Sequence, residues 1–331
     1  RDGTRGAIGK SAAKASKVLV ISEIALSCIV LVVATILLST SYLAGQADYG
    51  VQTQNRLTAQ IQLPFEKFPI RRDTEFESQD RRLRSNFYYQ LKERLDAQSN
   101  VEGVSFMSSF PGTGEGTSFF EIEGRAAHVY NENPYSNNEL ISMSPWQTIG
   151  MRLLEGRDFD HRESEEDSNS IIVNESIARD FFPNGDAVGS RIRRVWRTDQ
   201  GEWETIIGVV SDTYHGSTMS ASSASYNSYH LMDAVGPGRM YVAIHYTGSY
   251  EAATQTLIQA VSDIDPDVGV YHIQSYDSMI KQPMMLILAV SKVFVFCGIV
   301  AVFLAASGIY AVASNSILQR AQEIGVRRAL G

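Results

Sequence analysis

The sequence has few cysteines, and this scarcity limits how its polar part can be stabilised. Its two cysteines, Cys28 and Cys297, both lie in long apolar runs near the ends of the chain. The polar middle therefore has no disulfide available, although disulfides are common in exported domains. We expect an ordinary hydrophobic core to stabilise that middle, because a segment of this length can bury one.

The sequence also lacks the residue patterns of common metal, nucleotide and hydrolase sites. Its six histidines are scattered, and no two of them form an HxxxH pair that could hold a metal ion. The segment GAIGKS at residues 6–11 ends like a phosphate loop, but Thr4 stands where that loop requires its first glycine. No G-x-S-x-G nucleophile motif occurs. We therefore expect no catalytic residue, metal or other cofactor in this chain.

Two long apolar runs, at residues 18–47 and 284–316, bracket the polar middle. A single charged residue interrupts each run, Glu23 in the first and Lys292 in the second. About 20 apolar residues suffice for a helix to cross a hydrocarbon core about 30 Å thick. Each run therefore predicts a transmembrane helix, with its charged side chain reaching towards the membrane interface.

Charge is distributed unevenly between the ends and the middle. The chain carries a net charge of −8, yet residues 1–42 and 284–331 each carry +3, so the middle carries −14. Lys and Arg favour the cytoplasmic side of a membrane helix, whereas a long loop can translocate whatever its charge. We therefore predict a multi-pass protein of the bacterial cytoplasmic membrane, with both chain ends cytoplasmic and residues 45–283 extracytoplasmic. Its basic clusters only flank the membrane, which favours lipid and not nucleic acid as a partner.

The outer parts of the middle alternate between strand and helix patterns. Apolar residues at every second position predict strands, and apolar residues at helical spacing predict helices. The predicted elements are a strand at 56–63, a helix at 73–99, a strand at 101–107, a strand at 239–245, a helix at 250–264 and a strand at 268–273.

The residues between these two β-α-β units predict mostly short strands. Asn174 is placed to cap a helix at 175–182, and the Ser-rich residues 217–228 predict a mobile loop. The predicted strands lie near 118–122, 139–143, 170–173, 190–196 and 203–210, with a helical turn at 145–150.

These patterns predict an α+β extracytoplasmic domain between two transmembrane helices. Its outer pieces suggest a split β-α-β sheet of the ferredoxin-like kind, with a mostly-β subdomain inserted. The predicted divisions are a juxtamembrane segment at 1–17, transmembrane helix 1 at 18–44, an extracytoplasmic domain at 45–283, transmembrane helix 2 at 284–317 and a cytoplasmic segment at 318–331. Within the domain, 45–116 and 201–283 form the membrane-proximal part and 117–200 the insertion.

Small residues form a stripe in the second apolar run. Small side chains allow membrane helices to approach closely, so this stripe predicts packing against other transmembrane helices. The residues expected to pack are Ala305, Ala306, Gly308 and Ala311.

The end of the chain resembles a known family. Residues 308–331, GIYAVASNSILQRAQEIGVRRALG, resemble the second membrane helix and cytoplasmic coupling segment of FtsX-like ABC transporter permeases. Further segments resemble the first membrane helix and periplasmic core domain of the MacB type within this family. They are residues 19–38, 144–159, 172–182, 186–192, 204–212 and 265–273.

The resemblance implies a permease that couples cytoplasmic ATP hydrolysis to movement of its extracytoplasmic domain, a process called mechanotransmission. The ATPase activity then resides in a partner subunit, and the short charged segment at the membrane face docks on it. We expect a backbone turn at Gly325 in that segment. The implied coupling residues are Glu323, Ile324, Gly325, Arg327 and Arg328.

The resemblance also implies the partners and the setting of the chain. Family units have four membrane helices, so we expect a piece of a longer permease, and the opening RDGTRG resembles the linker before a second permease half. The implied partners are an ABC ATPase subunit and another permease half or a second copy. A periplasmic adaptor is a further implied partner. Exported antimicrobial compounds, peptides or similar molecules are the implied cargo.

Two other functions fit the same topology. A two-span sensor would bind a ligand with its extracytoplasmic domain and normally continue into a signalling helix with heptad periodicity. An FtsX-type regulator would instead use the domain to activate a cell-wall hydrolase. The segment EIGVRRALG resembles a short interfacial segment more than a signalling helix, which favours a permease.

Overall fold

The computed structural model describes residues 3–45, 49–71, 75–111, 116–125, 134–160, 162–163, 169–195, 200–213 and 226–329. The chain divides into two units. One is a helical unit, residues Arg1–Ala47 and Met284–Gly331, and the other is a domain, Asp48–Pro283.

The elements alternate much as the sequence patterns predict. In chain order they are α1 (Gly3–Gly45), β1 (Arg56–Gln62), α2 (Glu77–Asp96), β2 (Val101–Met107), β3 (Thr117–Ile122), β4 (Tyr135–Ile141), α3 (Trp146–Ile149), β5 (Leu153–Gly156), β6 (Ser170–Asn174), α4 (Glu175–Phe181), β7 (Arg191–Val195), β8 (Glu204–Val210), β9 (Asn227–Leu231), a short 3-10 helix (Met232–Ala234), β10 (Arg239–Tyr246), α5 (Tyr250–Ile264), β11 (Gly269–Ser275) and α6 (Tyr276–Ala329).

The helical unit contains two helices that are long and apolar enough to cross a membrane. The candidate spans are Val20–Thr40 in α1 and Ile287–Ala311 in α6, each with a mean hydropathy of 2.6. Both lie inside the predicted spans 18–44 and 284–317. In both windows only 11% of the residues are buried, as expected of helices whose side chains face lipid.

The backbone of both long helices continues beyond the candidate spans. Residues 3–17 are helical and continuous with the first span, as the predicted juxtamembrane segment allows. The expected turn at Gly325 is wrong, because α6 remains helical through that residue to Ala329. Glycine weakens a helix by only about 1 kcal/mol, so the flanking helix formers can carry the helix across it.

Four antiparallel strands and two helices form the outer part of the domain. The strands lie in the order β11-β1-β10-β2, so that the unit β1-α2-β2 and the unit β10-α5-β11 interleave. Leu57, Ala59 and Ile61 alternate along β1 and face the helices, where Leu91 of α2 and Leu257 of α5 are fully buried. The apolar face of the sheet and the two amphipathic helices thus share one core, as their sequence periodicities require.

The strands between β2 and β10 form a ring. Neighbouring strands pair in the order β4-β3-β7-β8-β6-β9, and β9 pairs with β4 to close the ring. Closure leaves no free strand edge within the six, and it surrounds a second apolar core that includes Phe120, Ile171 and Ile206. β5 pairs with β8 from outside this order.

The ring extends beyond residue 200, the predicted end of the insertion. β8 pairs with β5, β6 and β7, and the last strand of the ring ends at Leu231. Alternation of apolar residues identifies a strand without indicating its neighbours. Of the predicted mobile loop at 217–228, residues 217–225 lie outside the described residues, and residues 227–228 instead begin β9.

A buried carboxylate joins the ring to the outer sheet. Among the described strands, β2 and β4 connect the two parts through the ladder pair Met107–Ile141, with backbone hydrogen bonds on either side of it. Beside it, Glu139 is fully buried and accepts hydrogen bonds from Ser108 Oγ at 2.6 Å, Ser109 N at 2.9 Å and Ser109 Oγ at 2.6 Å. Three donors directed at one carboxylate compensate for its loss of water.

We therefore expect Glu139→Gln to destabilise the domain by about 1–3 kcal/mol, because the new amide group would face donors and leave one of them unsatisfied. The measurement is urea unfolding of the chain in detergent micelles, followed by tryptophan fluorescence. Glu123→Gln is the matched control, since Glu123 is half exposed in an ion pair with Arg191, and it should change stability by less than about 0.5 kcal/mol. Equal effects of the two changes would contradict this role of Glu139.

Candidate functional site

Small side chains line the contact between α1 and α6 within the helical unit. Ser27 and Ala34 of α1 are buried, as are Ser291 and Ala305 of α6. In each helix the two residues are separated by a multiple of seven, and Gly298 occupies the middle position of the α6 series. A seven-residue repeat is the period that keeps one face of a helix against its neighbour.

The two glycines of α6 show how close the helices come. A Cβ atom on Gly298 would lie 2.8 Å from Cδ2 of Leu31, and one on Gly308 would lie 3.3 Å from Oε2 of Glu23. Residue numbers thus rise along α6 as they fall along α1, so the two helices are antiparallel. Any larger residue at Gly298 would require Leu31 to move.

The four residues predicted to pack occupy two faces of α6. Ala305 is 8% exposed and Gly308 lies against α1, whereas Ala306 and Ala311 are exposed. Only part of the small-residue stripe therefore contacts α1. Ala306 and Ala311 are placed where a further helix could approach.

The predicted coupling residues lie together at the end of α6. Glu323, Ile324, Gly325, Arg327 and Arg328 fall within its last two turns or so, which end at Ala329. Leu330 and Gly331 lie outside the described residues. The segment is thus a direct continuation of the helix that contains the second candidate span.

The other end of α6 is buried in the domain. Tyr276, the first residue of the helix, is fully buried, with its ring centroid 5.4 Å from that of Phe110 and its hydroxyl donating to the carbonyl of Pro111 at 3.4 Å. Met279 and Ile280 in the next turn are also buried. Burial raises the pKa of the Tyr276 hydroxyl well above its ordinary value, so the group stays neutral. The helix thus begins as part of the domain core.

A cavity of about 600 Å³ lies within the domain, between α2 and the ring. We call it the α2 cleft. Its lining includes Arg81, Ser85 and Tyr89 from α2 and Arg194, Glu204 and His230 from strands β7, β8 and β9.

Three of the ring residues form a charged cluster at the wall of the α2 cleft. Nδ1 of His230 lies 3.0 Å from Oε1 of Glu204, and Nη2 of Arg194 lies 3.5 Å from the same oxygen. Burial alone would raise the pKa of the Glu204 carboxyl, but His230 and Arg194 outweigh it and the pKa is lowered. Glu204 is therefore an ionised carboxylate in a largely buried setting.

Sequence reasoning missed the α2 cleft. The three residues of its charged cluster lie on separate strands, and part of β9, which carries His230, falls in the predicted loop because NSYHL is mostly polar. No short motif links Arg194, Glu204 and His230, since only the closed ring brings them together. Among the described residues, no group of three or more His, Cys, Asp or Glu side chains is arranged to hold a metal ion.

Ion pairs and carbonyl contacts hold α2 in place beside the cleft. Asp80 is almost fully buried and accepts two hydrogen bonds from Arg71, at 2.7 Å and 2.6 Å. Arg84 is also buried and donates to the carbonyl oxygens of Pro69 and Gly236. The hydrogen bonds from Arg71 lower the pKa of Asp80 below its ordinary value.

Comparison with known proteins identifies the family. A family model described as the MacB-like periplasmic core domain matches residues 20–267. The periplasmic region of MacB from Actinobacillus actinomycetemcomitans is 16% identical, with a TM-score of 0.42, over 70% of this chain and 94% of its own length. The extracellular domain of the noncanonic ABC-type transporter YknZ from Gram-positive bacteria is 11% identical, with a TM-score of 0.39, over 66% of this chain and 99% of its own length. A search of curated proteins found no match.

The family model covers well over half of the chain, so the protein belongs to the MacB-like periplasmic core domain family of ABC transporter permeases. In this family the permease is one component and the ATPase resides in a partner subunit. The predicted resemblance to MacB-type permeases is thus confirmed, as is the α+β domain flanked by two apolar helices.

The packing of α1 on α6 predicts that substitutions at two neighbouring alanines differ sharply in their effect on stability. Ala305→Ile should destabilise the helix pair by about 1–3 kcal/mol, because the added methylenes have no space against α1. Ala306→Ile, at an exposed position, should leave the stability of the isolated chain unchanged. Thermal unfolding of the chain in micelles, followed by circular dichroism, compares the two. A larger effect of Ala306→Ile than of Ala305→Ile in the isolated chain would refute this helix interface.

The pair Arg71–Asp80 predicts a pH-dependent loss of stability. Because the pKa of Asp80 is lowered in the folded state, the pair stabilises the domain above the ordinary Asp pKa of about 4 and loses this effect as the pH falls through the lowered value. Asp80→Asn should therefore lower the urea midpoint at pH 7, and the difference from the parent should shrink by pH 3. Asp96→Asn, at a half-exposed pair with Lys92, is the control and should have little effect at either pH. A difference that stays constant with pH would exclude this pair as its cause.

Proposed function

We propose that this chain is a permease subunit that couples ATP hydrolysis by a partner ABC ATPase to movement of its extracytoplasmic domain. The observation that carries the proposal is α6, one uninterrupted helix from Tyr276 to Ala329. Its first turns are buried in the domain core, its middle is a candidate membrane span, and its end holds the predicted coupling residues. A helix is the stiffest element that a single segment can form, so displacement at one end can be carried to the other.

Glu323, Ile324, Gly325, Arg327 and Arg328 are the proposed docking residues for the ATPase. The observed helix replaces the expected turn at Gly325, so docking would use a helix end and not a bent segment. Two adjacent arginines can form bidentate pairs with carboxylates on an ATPase surface.

The proposed setting follows from the distribution of charge. Both ends of the chain would be cytoplasmic and residues 45–283 extracytoplasmic, since the basic residues flank the apolar helices. Ala306 and Ala311, exposed on α6, would contact helices of the other permease half or of a second copy. The strand order β11-β1-β10-β2 with two crossing helices supports assigning the outer part to the ferredoxin-like class.

The proposed cargo is an antimicrobial compound, peptide or similar molecule, with a periplasmic adaptor as a further partner. In this role the domain moves the cargo, and no bond is made or broken by its own side chains. A sensor would share the two spans but would not require an ATPase, and an FtsX-type regulator would require an ATPase but no cargo.

Charge reversal at the end of α6 tests the coupling. Arg327→Glu plus Arg328→Glu, in the complete transporter reconstituted with its ATPase, should reduce stimulated ATP hydrolysis at least tenfold, because losing two charge-assisted contacts costs about 1.5–3 kcal/mol each. The thermal unfolding of the domain should not change. The control reverses Arg94 and Arg152, which are well exposed in the domain, and should leave hydrolysis intact.

Two results would count against the proposal. Normal stimulated hydrolysis in the double variant would remove the coupling role of Arg327 and Arg328. Purification of the protein from its native membrane without any ATPase would favour the sensor over both permease functions.

A further inference from the structure

A tight turn follows α4 in the ring, and its four residues are Phe182, Pro183, Asn184 and Gly185. The nitrogen of Gly185 donates to the carbonyl of Phe182 at 3.0 Å, which defines a β-turn with proline at its second position. Gly185 has a φ of 77°, in the left-handed region that glycine adopts without strain. Phe182 is buried, whereas the other three residues are exposed to water.

The side chain of Asn184 is unrestrained at the exposed end of this turn. Its amide forms no hydrogen bond within the described part of the chain. A Cβ atom on Gly185 would have no described atom within 4 Å, so the space beside the Asn184–Gly185 peptide bond is open. The amide carbon of Asn184 can therefore turn towards the backbone nitrogen of Gly185 without meeting another side chain.

Asn184 differs in this respect from the other asparagines. It is the only asparagine in the sequence that precedes glycine, and glycine has no side chain to shield its backbone nitrogen. Hydrogen bonds also hold the amides of most other described asparagines, namely Asn100, Asn137, Asn138, Asn169, Asn174 and Asn227. A free amide and a following glycine thus occur together at Asn184.

This combination permits deamidation, in which the backbone attacks the side chain. The nitrogen of Gly185 gives its proton to a base in solution and bonds to Cγ of Asn184. The bond from Cγ to the side-chain nitrogen breaks, and that nitrogen takes up a proton and leaves as ammonia. Water then opens the resulting cyclic imide at one of its two carbonyl groups. The products are aspartate and isoaspartate, and water is the only co-reactant.

The turn itself opposes this reaction. The nitrogen of Gly185 must give up its hydrogen bond to Phe182 before it can reach Cγ of Asn184, so the turn has to open first. An exposed turn opens at a lower free energy than the packed strands of the ring. Pro183 restrains the opening, because its fixed φ limits the conformations that the open turn can gain.

We propose that Asn184 is a modification site, at which opening of the turn in the folded protein leads to conversion of the amide into aspartate and isoaspartate. The conversion places a new negative charge beside the exposed Asp186. Isoaspartate also lengthens the backbone of the turn, which then no longer matches the hydrogen bond between Gly185 and Phe182. The proposal does not rest on the coupling to an ATPase, so either can fail without the other.

The test stores the full chain in detergent micelles, at mildly alkaline pH, in water labelled with heavy oxygen. Digestion in ordinary water and mass spectrometry then measure the label in the peptide that contains Asn184. The label enters only when the imide opens during storage, so conversion during digestion is not counted. Asn184→Gln is the matched control, because the longer side chain would have to close a larger ring, which forms much more slowly.

We expect labelled product to accumulate at Asn184 before any other described asparagine. Asn169 should convert at least about tenfold more slowly, because its amide donates to Oε2 of Glu202 at 2.7 Å and must first break this charge-assisted hydrogen bond. Pro183→Ala should speed conversion at Asn184 about twofold to fivefold, since the open turn gains backbone freedom. Thermal unfolding, followed by circular dichroism, should show that Asn184→Gln and Pro183→Ala both remain folded during storage.

Three outcomes would overturn the proposal. The first is that Asn184 in the folded chain keeps its amide during the time in which a synthetic peptide of residues 180–189 converts completely. The second is that Asn184→Gln gains the same label in the same peptide, because the oxygen would then enter at another residue. The third is that Pro183→Ala, while folded, converts no faster than the parent, which would exclude opening of the turn as the controlling step.

Discussion

The burial of the first turns of α6 is the constraint on which the rest of the molecule depends. Tyr276 follows β11 directly and packs on Phe110, so no flexible linker separates the edge of the sheet from the helix. A linker would absorb displacement by changes in its backbone angles, at little cost in energy. The first turns of α6 are instead part of the core, where side chains pack at the density of a solid.

The joint between the outer sheet and the ring is polar, unlike the packed core around the start of α6. A short ladder around the pair Met107–Ile141 links β2 to β4, and the hydrogen bonds of Glu139 strengthen that link. A polar joint of this kind is directional, whereas apolar packing tolerates sliding. The ring has its own apolar core and closes on itself, so it contributes no free edge that could pair with the outer sheet by mistake. The α2 cleft lies between these two parts, where α2 and the ring each supply one wall.

Particular elements show how far sequence reasoning reaches. The strand β2 and the helix α5 were predicted with the bounds that the structure has, because each carries its full apolar periodicity and clear end signals. The two short strands β5 and β9 were missed, since LLEG is too short to show a period and NSYHL buries polar side chains. The α2 cleft could not be predicted at all, because Arg194, Glu204 and His230 meet only after the ring has closed. Local patterns depend on residues that are neighbours in sequence. A site assembled from three strands depends instead on which strands pair with each other.

The small residues of α6 show why one stripe can serve two purposes. Ser291, Gly298 and Ala305 repeat at seven and face α1, whereas Ala306 and Ala311 lie on another side of the same helix. In lipid, an apolar helix gains nothing from hiding apolar surface, so close approach between small residues is the main source of attraction. A helix that contacted only α1 would need small residues on one face alone. A further helix therefore explains the second set better than contact with α1 does. A helix held from two sides could move little except along its own axis.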